Sequence, residues 1–307
     1  MKESNFASAV VYVHQCGNTI GGFLTELHTL LRENFQKFEL ICVNDASTDD
    51  SVQAIREFAA GVEGPMVSIL NMSYYQGLEA AMNAGVDLAI GDFVFEFDSG
   101  VMDYPPELIM EVYRTALSGF DIVSASAIGG SRLTSRLFYR VFNRFANTQY
   151  DLGTETFRVL SRRAINRVHA MSKTIPYRKA LYANCGLKLE RISYQPLGGT
   201  DRGKMAREKP QLATDALILF TGVAYRVALC LALVMMALTL IVTVYTVVVY
   251  LSGSPVEGWT TTMLFLGFGF FGMFAILTMV LKYLSILVDL TFKRQKYVFE
   301  SIEKISK

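Results

Sequence analysis

The sequence is poor in charged residues. Only 19% of its 307 residues are Asp, Glu, Lys or Arg, whereas 51% are hydrophobic, and the mean hydropathy is +0.31. Soluble domains carry about 25% charged residues. This scarcity of charge, together with 12% aromatic residues, excludes an intrinsically disordered chain. It also argues against a chain built only from ordinary soluble domains.

Cysteines are few and show no pattern. The four cysteines stand at positions 16, 42, 185 and 230 without paired spacing. The sequence therefore predicts neither a zinc site nor a disulfide framework, and it favours a reducing compartment.

The charges that are present are unevenly distributed. Residues 1–126 contain 5 Lys and Arg against 18 Asp and Glu, whereas residues 127–180 contain 11 against 2. An acidic first part followed by a basic second part predicts two binding functions, such as one for a metal ion and one for an anionic ligand. The acidic first part also makes nucleic acid a poor candidate partner.

Two long apolar runs lie near the C-terminus. Ala228–Leu251 is 24 residues without a charge, and Met263–Leu281 is 19. A helix of 24 residues spans about 36 Å, enough to cross a bilayer core of about 30 Å. The sequence therefore predicts a transmembrane hairpin at residues 226–290. The alternative is a buried soluble hairpin, whose helices do not need apolar residues on every face.

Basic residues beside these runs predict an orientation. Arg226 precedes the first run, Lys282 and Lys293 follow the second, and the connector between the runs has no Lys or Arg. The positive-inside rule then places both termini in the cytoplasm. Because Met1–Ala7 lacks the apolar core of a signal peptide, we expect a cytosolic N-terminal part on a multi-pass protein of the cytoplasmic membrane.

Strand-like and helix-like patterns alternate in the first 126 residues. This alternation predicts βαβ units and an α/β fold with a mostly parallel sheet. The predicted strands are Ala9–Val13, Glu39–Val43, Val67–Leu70, Asp92–Phe97 and Asp121–Ala125, and the predicted helices are Ile20–Glu33, Ser51–Ala60, Leu78–Ala89 and Pro106–Leu117. Ligands of such sheets bind at the carboxyl ends of the strands, where His14, Asp45 and Asp98 stand.

Several blocks resemble those of one enzyme family. The block VNDASTDDS at Val43–Ser51 is similar to a signature of family 2 glycosyltransferases with the GT-A fold, and Gln76–Asp98 is similar to the stretch that leads to that family's DxD motif. Tyr104–Glu107, Ser135–Asn147 and Phe157–Ile165 resemble three later blocks. With two C-terminal apolar runs, the chain resembles the polyprenyl-phosphate sugar transferases, which include dolichyl-phosphate mannose synthases and bactoprenol glucosyltransferases.

This resemblance implies a donor site, a cofactor and catalytic residues. It implies that Val13, His14, Asp45, Ser47, Gly77 and Asp98 bind a nucleotide-sugar donor, and that Asp98 holds a divalent metal, Mg²⁺ or Mn²⁺. For Asp45 and Ser47 the alternative is a helix N-cap, and for Gly77 it is a plain turn glycine. The catalytic candidates are Asp98, Glu155 and Arg158.

The chain departs from the family pattern at three positions. Cys16 stands where the family has a Glu, Gly100 replaces the second Asp of the DxD motif, and Thr156 replaces an Asp near the acceptor. Asp103 is a candidate substitute metal ligand, and Glu155 a candidate substitute for the acceptor-side Asp, the alternative being a solvated loop carboxylate. These losses leave open a catalytically degenerate protein that acts as a scaffold in a glycan-assembly complex.

The basic middle segment predicts an acceptor site. Arginines recur every four residues at 132, 136, 140 and 144, which places them in one stripe on a helix. Arg132 and Arg136, together with Arg202 and Lys204, are candidates for binding the lipid phosphate. The alternative is a helix attracted to anionic headgroups, which we expect for Arg140 and Arg144.

The sequence therefore predicts four segments. Residues 1–200 form a GT-A glycosyltransferase domain, 201–225 a basic juxtamembrane amphipathic segment, 226–290 the two transmembrane helices, and 291–307 a cytosolic amphipathic tail, expected to be helical. The predicted function is sugar transfer from a nucleotide-sugar to polyprenyl phosphate at the cytoplasmic face of the bilayer. Gly267, Gly269 and Gly272 permit close helix contact, within the hairpin or between the chains of a homo-oligomer.

Overall fold

A computed structural model of the chain describes residues 2–62, 64, 66–128, 155–171, 178–197, 223–253, 257–291 and 297–305. They separate into two compact units, one of residues 1–209 with 292–307 and one of residues 210–291. The tail thus belongs to the first unit although it follows the second in sequence.

The first unit is an α/β structure in which strands and helices alternate. Its elements are β1 (Ala7–Val13), α1 (Gly17–Asn34), β2 (Phe38–Asn44), α2 (Ser51–Gly61), β3 (Met66–Met72), α3 (Leu78–Leu88), β4 (Phe93–Phe97), α4 (Glu107–Leu117), β5 (Ile122–Ala127), β6 (Phe157–Ser161), α5 (Arg162–Met171), α6 (Arg178–Asn184), β7 (Leu189–Tyr194) and, at the C-terminus, β8 (Phe299–Ile305). The predicted strands and helices of the first 126 residues are confirmed, with ends that differ by a few residues.

The eight strands form one sheet in the order β7-β5-β6-β4-β1-β2-β3-β8. Strands β4, β1, β2 and β3 are parallel to one another, whereas β6 runs antiparallel between β4 and β5 and β8 runs antiparallel to β3. The fold class predicted from the sequence, α/β with a mostly parallel sheet, is confirmed. Because β4, β1, β2 and β3 are parallel, their carboxyl ends meet at one edge of the sheet.

The core lies on both faces of the sheet. Successive side chains of a strand point to opposite faces, and in β1 both sets are buried, with Val11 and Val13 in one apolar cluster and Val10 in the other. Gly85 of α3 allows close packing, because a Cβ there would lie 2.6 Å from Val43 Cγ2. Burial on both faces explains why these strands read as continuous apolar runs.

The C-terminal tail is a strand, so the helix expected within residues 291–307 is wrong. Residues 299–305 pair with β3 from Val67 to Met72. The aromatic and β-branched residues Tyr297, Phe299, Ile302 and Ile305 suit a helix face or a strand equally well as a pattern. The unpaired edge of β3 supplies main-chain hydrogen-bond partners, and this tertiary pairing decides the conformation.

The second unit is a pair of long apolar helices. Helices α7 (Val223–Leu251) and α8 (Trp259–Thr291) contain segments, Ala228–Leu251 and Trp259–Leu284, that are long and apolar enough to cross a membrane. Gly267 lies against α7, because a Cβ there would collide with Thr243 Oγ1, whereas a Cβ on Gly269 or Gly272 would meet nothing within 4 Å. Gly267 therefore serves contact within the hairpin.

Candidate active site

The loops that follow β1, β2, β3 and β4 come together at the carboxyl edge of the sheet. Their backbone has unusual conformations, with positive φ angles at Gln15 (52°), Ala46 (52°) and Gly77 (89°). Non-glycine residues adopt positive φ rarely and at a cost, and such positions cluster at functional sites. This edge is the candidate active site.

Asp45 connects the loop after β2 to the loop after β3 by hydrogen bonds. Its carboxylate is fully buried and accepts hydrogen bonds from Gln76 N at 2.8 Å, Gly77 N at 2.8 Å and Tyr12 Oη at 3.0 Å. Burial, reinforced by the Asp45 charge, raises the pKa of Tyr12, so the phenol stays a donor. Helix α2 begins at Ser51 with Asp50 as its N-cap, so neither Asp45 nor Ser47 caps it.

The other predicted nucleotide ligands surround Asp45. Val13 O accepts a bond from Asp45 N at 2.9 Å, and His14 Nδ1 lies 2.7 Å from Asp45 O. Gln15 N lies 3.4 Å from Ser47 Oγ. Gly77 precedes α3 with φ 89°, a conformation that favours glycine. The structure thus brings the predicted residues of the first three loops together.

Asp98 belongs to a cluster of four charges, Glu96, Asp98, Arg158 and Arg178, which we call the charge cluster. Arg158 pairs with Glu96 (Nη1–Oε2, 2.6 Å) and Asp98 (Nη2–Oδ2, 3.0 Å). Arg178 pairs with the same carboxylates (Nη1–Oε2 and Nη2–Oδ1, both 2.9 Å). Both arginines are completely buried, whereas the Asp98 side chain is 13% exposed. Asp98 is therefore the member of the cluster that reaches the surface.

The arginines fix the charge of Asp98. Burial alone raises the pKa of Asp98, but the charges of Arg158 and Arg178 outweigh it and lower the pKa to about 2. Burial likewise lowers the pKa of Arg158, and its carboxylate partners raise it above the usual value. Asp98 and the two arginines are thus ionised at neutral pH, and each of these buried charges has a partner of opposite charge.

Glu155 is an extension of this cluster. Its side chain is 6% exposed and pairs with Arg158 Nε at 3.3 Å and Arg191 Nη2 at 3.5 Å. The alternative of a solvated loop carboxylate is therefore wrong, because the carboxylate is buried and paired. Asp103 is also buried, and its Oδ1 accepts a hydrogen bond from Tyr194 Oη at 3.0 Å.

Sequence reasoning missed Glu96, Arg178 and Tyr182, which complete this end of the site. Tyr182 Oη donates to Glu96 Oε1 at 2.7 Å, and Arg178 also pairs with Glu79 through Nε at 3.1 Å. A signal was present in the strand FVFEF, because a charge inside a buried strand needs a partner of opposite charge. Which arginine supplies it depends on tertiary structure.

The described residues do not fit the divalent cation site that the resemblance implies. A Cβ on Gly100 would lie 2.9 Å from Ile20 Cδ1, so a second carboxylate has no room there unless Ile20 moves. Each Asp98 oxygen already contacts an arginine. Within the described part of the chain, there is no group of three or more His, Cys, Asp and Glu side chains that could hold a metal.

The predicted lipid-phosphate residues, Arg132, Arg136, Arg202 and Lys204, lie outside the described residues, as do Arg140 and Arg144. Their assignment stays a prediction.

Comparison with known proteins identifies the family. A sequence model described as "Glycosyl transferase family 2" matches residues 8–172, which is more than half of the chain. The chain belongs to glycosyl transferase family 2. The matched residues run from β1 to the end of α5. The family domain therefore contains the two loops that Asp45 connects, and three members of the charge cluster, Glu96, Asp98 and Arg158.

Individual relatives are similar over part of their length. The uncharacterized glycosyltransferase sll0501 of Synechocystis sp. is 30% identical over 157 residues, 49% of this chain and 48% of that protein. The undecaprenyl-phosphate 4-deoxy-4-formamido-L-arabinose transferase of Pseudomonas fluorescens is 32% identical over 131 residues, 42% of this chain and 37% of that protein. The match thus covers less than half of each of these relatives.

Comparison with solved structures matches a mannosyltransferase over most of both chains. The mannosyltransferase PcManGT from Pyrobaculum calidifontis, in complex with GDP-Man and Mn²⁺, is 12% identical with a TM-score of 0.48, and the match covers 94% of this chain and 87% of that one.

Proposed function

We propose that this protein is a membrane-anchored glycosyltransferase that moves a sugar from a nucleotide-sugar to polyprenyl phosphate at the cytoplasmic face of the membrane, for cell-surface glycan assembly. One observation carries the proposal. Within the family 2 domain, Asp45 follows β2 and Asp98 follows β4, the two strands that flank β1, at the edge where such sheets bind nucleotides. The name of the Pseudomonas relative, an undecaprenyl-phosphate transferase, supports the acceptor class.

The donor is proposed to bind over the loops after β2 and β3, which Asp45 connects. Because the Asp45 carboxylate is buried and bound to two backbone amides, its contribution is to hold these loops in shape. His14 and Ser47 are only half-buried and are the side chains of this set that a nucleotide can reach. Gly77, whose Cβ position is open, leaves room for close approach of the ligand.

Asp98 is proposed to face the donor sugar or ribose. A carboxylate with a pKa of about 2 is a permanent hydrogen-bond acceptor for hydroxyl groups. Arg158 and Glu155, although predicted as catalytic, are buried and paired. We therefore assign them to positioning Asp98 rather than to contact with the substrate.

The chemistry is proposed to be direct displacement. A phosphate oxygen of the acceptor forms a bond to the anomeric carbon, and the bond from that carbon to the diphosphate breaks, with the electron pair leaving on the nucleoside diphosphate. The phosphate nucleophile is already anionic at neutral pH, so the step needs no general base. Arg132, Arg136, Arg202 and Lys204 are the proposed phosphate ligands, because guanidinium and ammonium groups bind phosphate through charge-assisted hydrogen bonds.

The predicted requirement for Mg²⁺ or Mn²⁺ stays a prediction from the resemblance. The mannosyltransferase structure contains Mn²⁺, whereas here both oxygens of Asp98 contact an arginine. Titrating the protein with nucleotide-sugars, with the two cations and with a chelator, measures this requirement directly.

The membrane anchor is proposed to be the α7–α8 hairpin. Each helix carries an apolar segment of sufficient length, and the flanking basic residues support a cytoplasmic location for the termini and the family 2 domain.

A measurement of sugar transfer to the lipid tests the proposal. Purified full-length protein in detergent is incubated with radiolabelled nucleotide-sugars and undecaprenyl phosphate, and the lipid fraction is analysed. We expect label in the lipid with at least one donor and a large loss of rate in Asp98→Asn. A protein that binds nucleotide-sugars but labels no lipid would contradict the acceptor class.

The scaffold alternative predicts no divalent-dependent nucleotide binding, because Gly100 stands where the family has the second Asp of its metal-binding motif. The Asp45 carboxylate still accepts hydrogen bonds from Tyr12 of β1 and from two amides of the loop after β3, which supports a retained donor site. Wild-type protein that binds none of the donors would revive the scaffold hypothesis.

A further inference from the structure

The C-terminal strand β8 lies beside the loop that carries Gln76 and Gly77, because β3, its partner, leads directly into that loop. We propose that the tail, residues 297–305, is a positioning element of the donor site: it holds the Gln76–Gly77 loop and the Asp45–Ser47 loop in their binding conformations. This inference rests on the proposed function, because it concerns the same nucleotide-binding edge of the sheet.

The first connection runs through Gln76. Its Nε2 donates to Val298 O at 2.5 Å, and Val298 N donates to Gln76 Oε1 at 3.0 Å, so the side-chain amide pairs with the tail backbone in both directions. Ser73 N also donates to Val298 O, at 3.2 Å. The backbone amides of Gln76 and Gly77 are the donors that Asp45 accepts. The tail therefore holds the loop from one side and Asp45 holds it from the other.

The second connection runs through two asparagines. Asn71 Nδ2 donates to Ser301 Oγ at 3.1 Å and to Glu303 Oε1 at 3.0 Å. Asn44 Nδ2 donates to Asn71 Oδ1 at 2.9 Å, and Asn44 Oδ1 accepts from Ser47 N at 3.0 Å. A continuous series of hydrogen bonds thus joins β8 to the Ser47 backbone.

Glu303 is itself held in place. Arg56 of α2 pairs with it through Nη2–Oε2 at 2.9 Å, with side chains 49% and 35% exposed. Exposed ion pairs add little to stability, so the effect of this pair is to orient the Glu303 carboxylate toward Asn71.

The side chains of β8 argue for a positioning role over a packing role. Ser301, Glu303 and Ile305 are its half-buried residues, whereas Phe299 and Ile302 are exposed. Two of the three inward residues are polar and face Asn71. A strand that served mainly to complete the core would present apolar side chains there.

Nucleotide binding by full-length protein in detergent tests the proposal, with UDP and GDP as probes in calorimetry. Gln76→Ala cuts the first connection and Asn71→Ala the second. We expect each to raise the dissociation constant about fivefold or more, the effect of losing one or two hydrogen bonds, and the kcat for transfer to stay within about twofold. Gln53→Ala is the matched control, because within the described part of the chain the Gln53 amide donates to Glu57 alone, on the exposed face of α2.

The outcomes separate the two proposals. If the wild type binds a probe and both variants bind it equally well, the positioning role is overturned and the proposed function stands. A fall in kcat with unchanged probe affinity also overturns it. Wild type that binds neither probe nor any nucleotide-sugar overturns both. If Gln76→Ala does not fold, Gln76→Glu replaces it, because Glu keeps the acceptor for Val298 N and lacks only the donor.

Discussion

Cys16 and Gly100 pack side by side. A Cβ on Gly100 would lie 3.5 Å from Cys16 Sγ, and Cys16 is buried. These are two of the positions at which the chain departs from the family pattern, which has Glu at the first and Asp at the second. Because the two positions adjoin, the two departures form one local change, in which two acidic positions have both become uncharged.

The close approach of positions 16 and 100 predicts that an Asp introduced at position 100 destabilises the folded protein. In Gly100→Asp the carboxylate would be buried against Cys16 and Ile20 without a partner, which costs several kcal/mol. We expect Gly100→Asp to lower the free energy of unfolding by at least about 2 kcal/mol more than Gly100→Ala, whose methyl group needs only a rotation of the Ile20 side chain. Denaturant unfolding of the two variants measures the difference, and equal stabilities would contradict it.

The charge cluster predicts a large cost for removing one member. In Arg178→Ala, the carboxylates of Glu96 and Asp98 each lose a partner, and breaking a buried pair costs about 3–5 kcal/mol. The control is Arg56→Ala, since the side chains of Arg56 and its partner Glu303 are 49% and 35% exposed, and such exposed pairs contribute about 0–1 kcal/mol. Similar losses in the two variants, measured by thermal or chemical unfolding, would show that the cluster is not tightly coupled.

The first five strands are predicted well from the sequence because they are largely buried on both faces, so that β-branched and aromatic runs stand out against amphipathic helices. Residues placed by the ends of these strands, Asp45 and Asp98, could be found in the same way. Contacts that depend on distant segments could not be found. The Arg178 partner of Asp98 comes from 80 residues further along the chain, and the tail becomes a strand only because β3 has a free edge.

The buried cysteines Cys16 and Cys42 predict low thiol reactivity. Burial raises the pKa of Cys42 to about 12 and also raises the pKa of Cys16, so the thiols stay protonated where free cysteine, with a pKa of about 8.5, ionises. We expect alkylation of these two residues in the folded protein to be negligible at pH 8 and to rise little up to pH 10. Mass spectrometry of the labelled protein, with a denatured sample as control, checks this, and rapid native labelling of Cys42 would contradict it.

Helix packing in the hairpin predicts that substitution by a larger residue has different effects at Gly267 and Gly269. Gly267 lies against Thr243 of α7, whereas Gly269 faces open space. We expect Gly267→Leu to separate the helices and lower the thermal stability of the hairpin in detergent, and Gly269→Leu to leave it unchanged or slightly raised, because leucine is the better helix former. Loss of stability in Gly269→Leu alone would place the close helix contact elsewhere.

The connector between the apolar helices predicts the topology of the whole chain. Glu257 and Trp259 lie at the turn end of α8, and Glu257 is exposed. With two segments of 24 and 26 residues long enough to cross, and basic residues at the opposite ends, Glu257 should face the outside. In a Cys230→Ala background, Glu257→Cys should react with a membrane-impermeant thiol reagent in intact cells, while Cys16, Cys42 and Cys185 should not. Labelling of Glu257→Cys only after the cells are broken open would show that the hairpin is inverted or does not span, and sugar transfer at the cytoplasmic face would have to be abandoned with it.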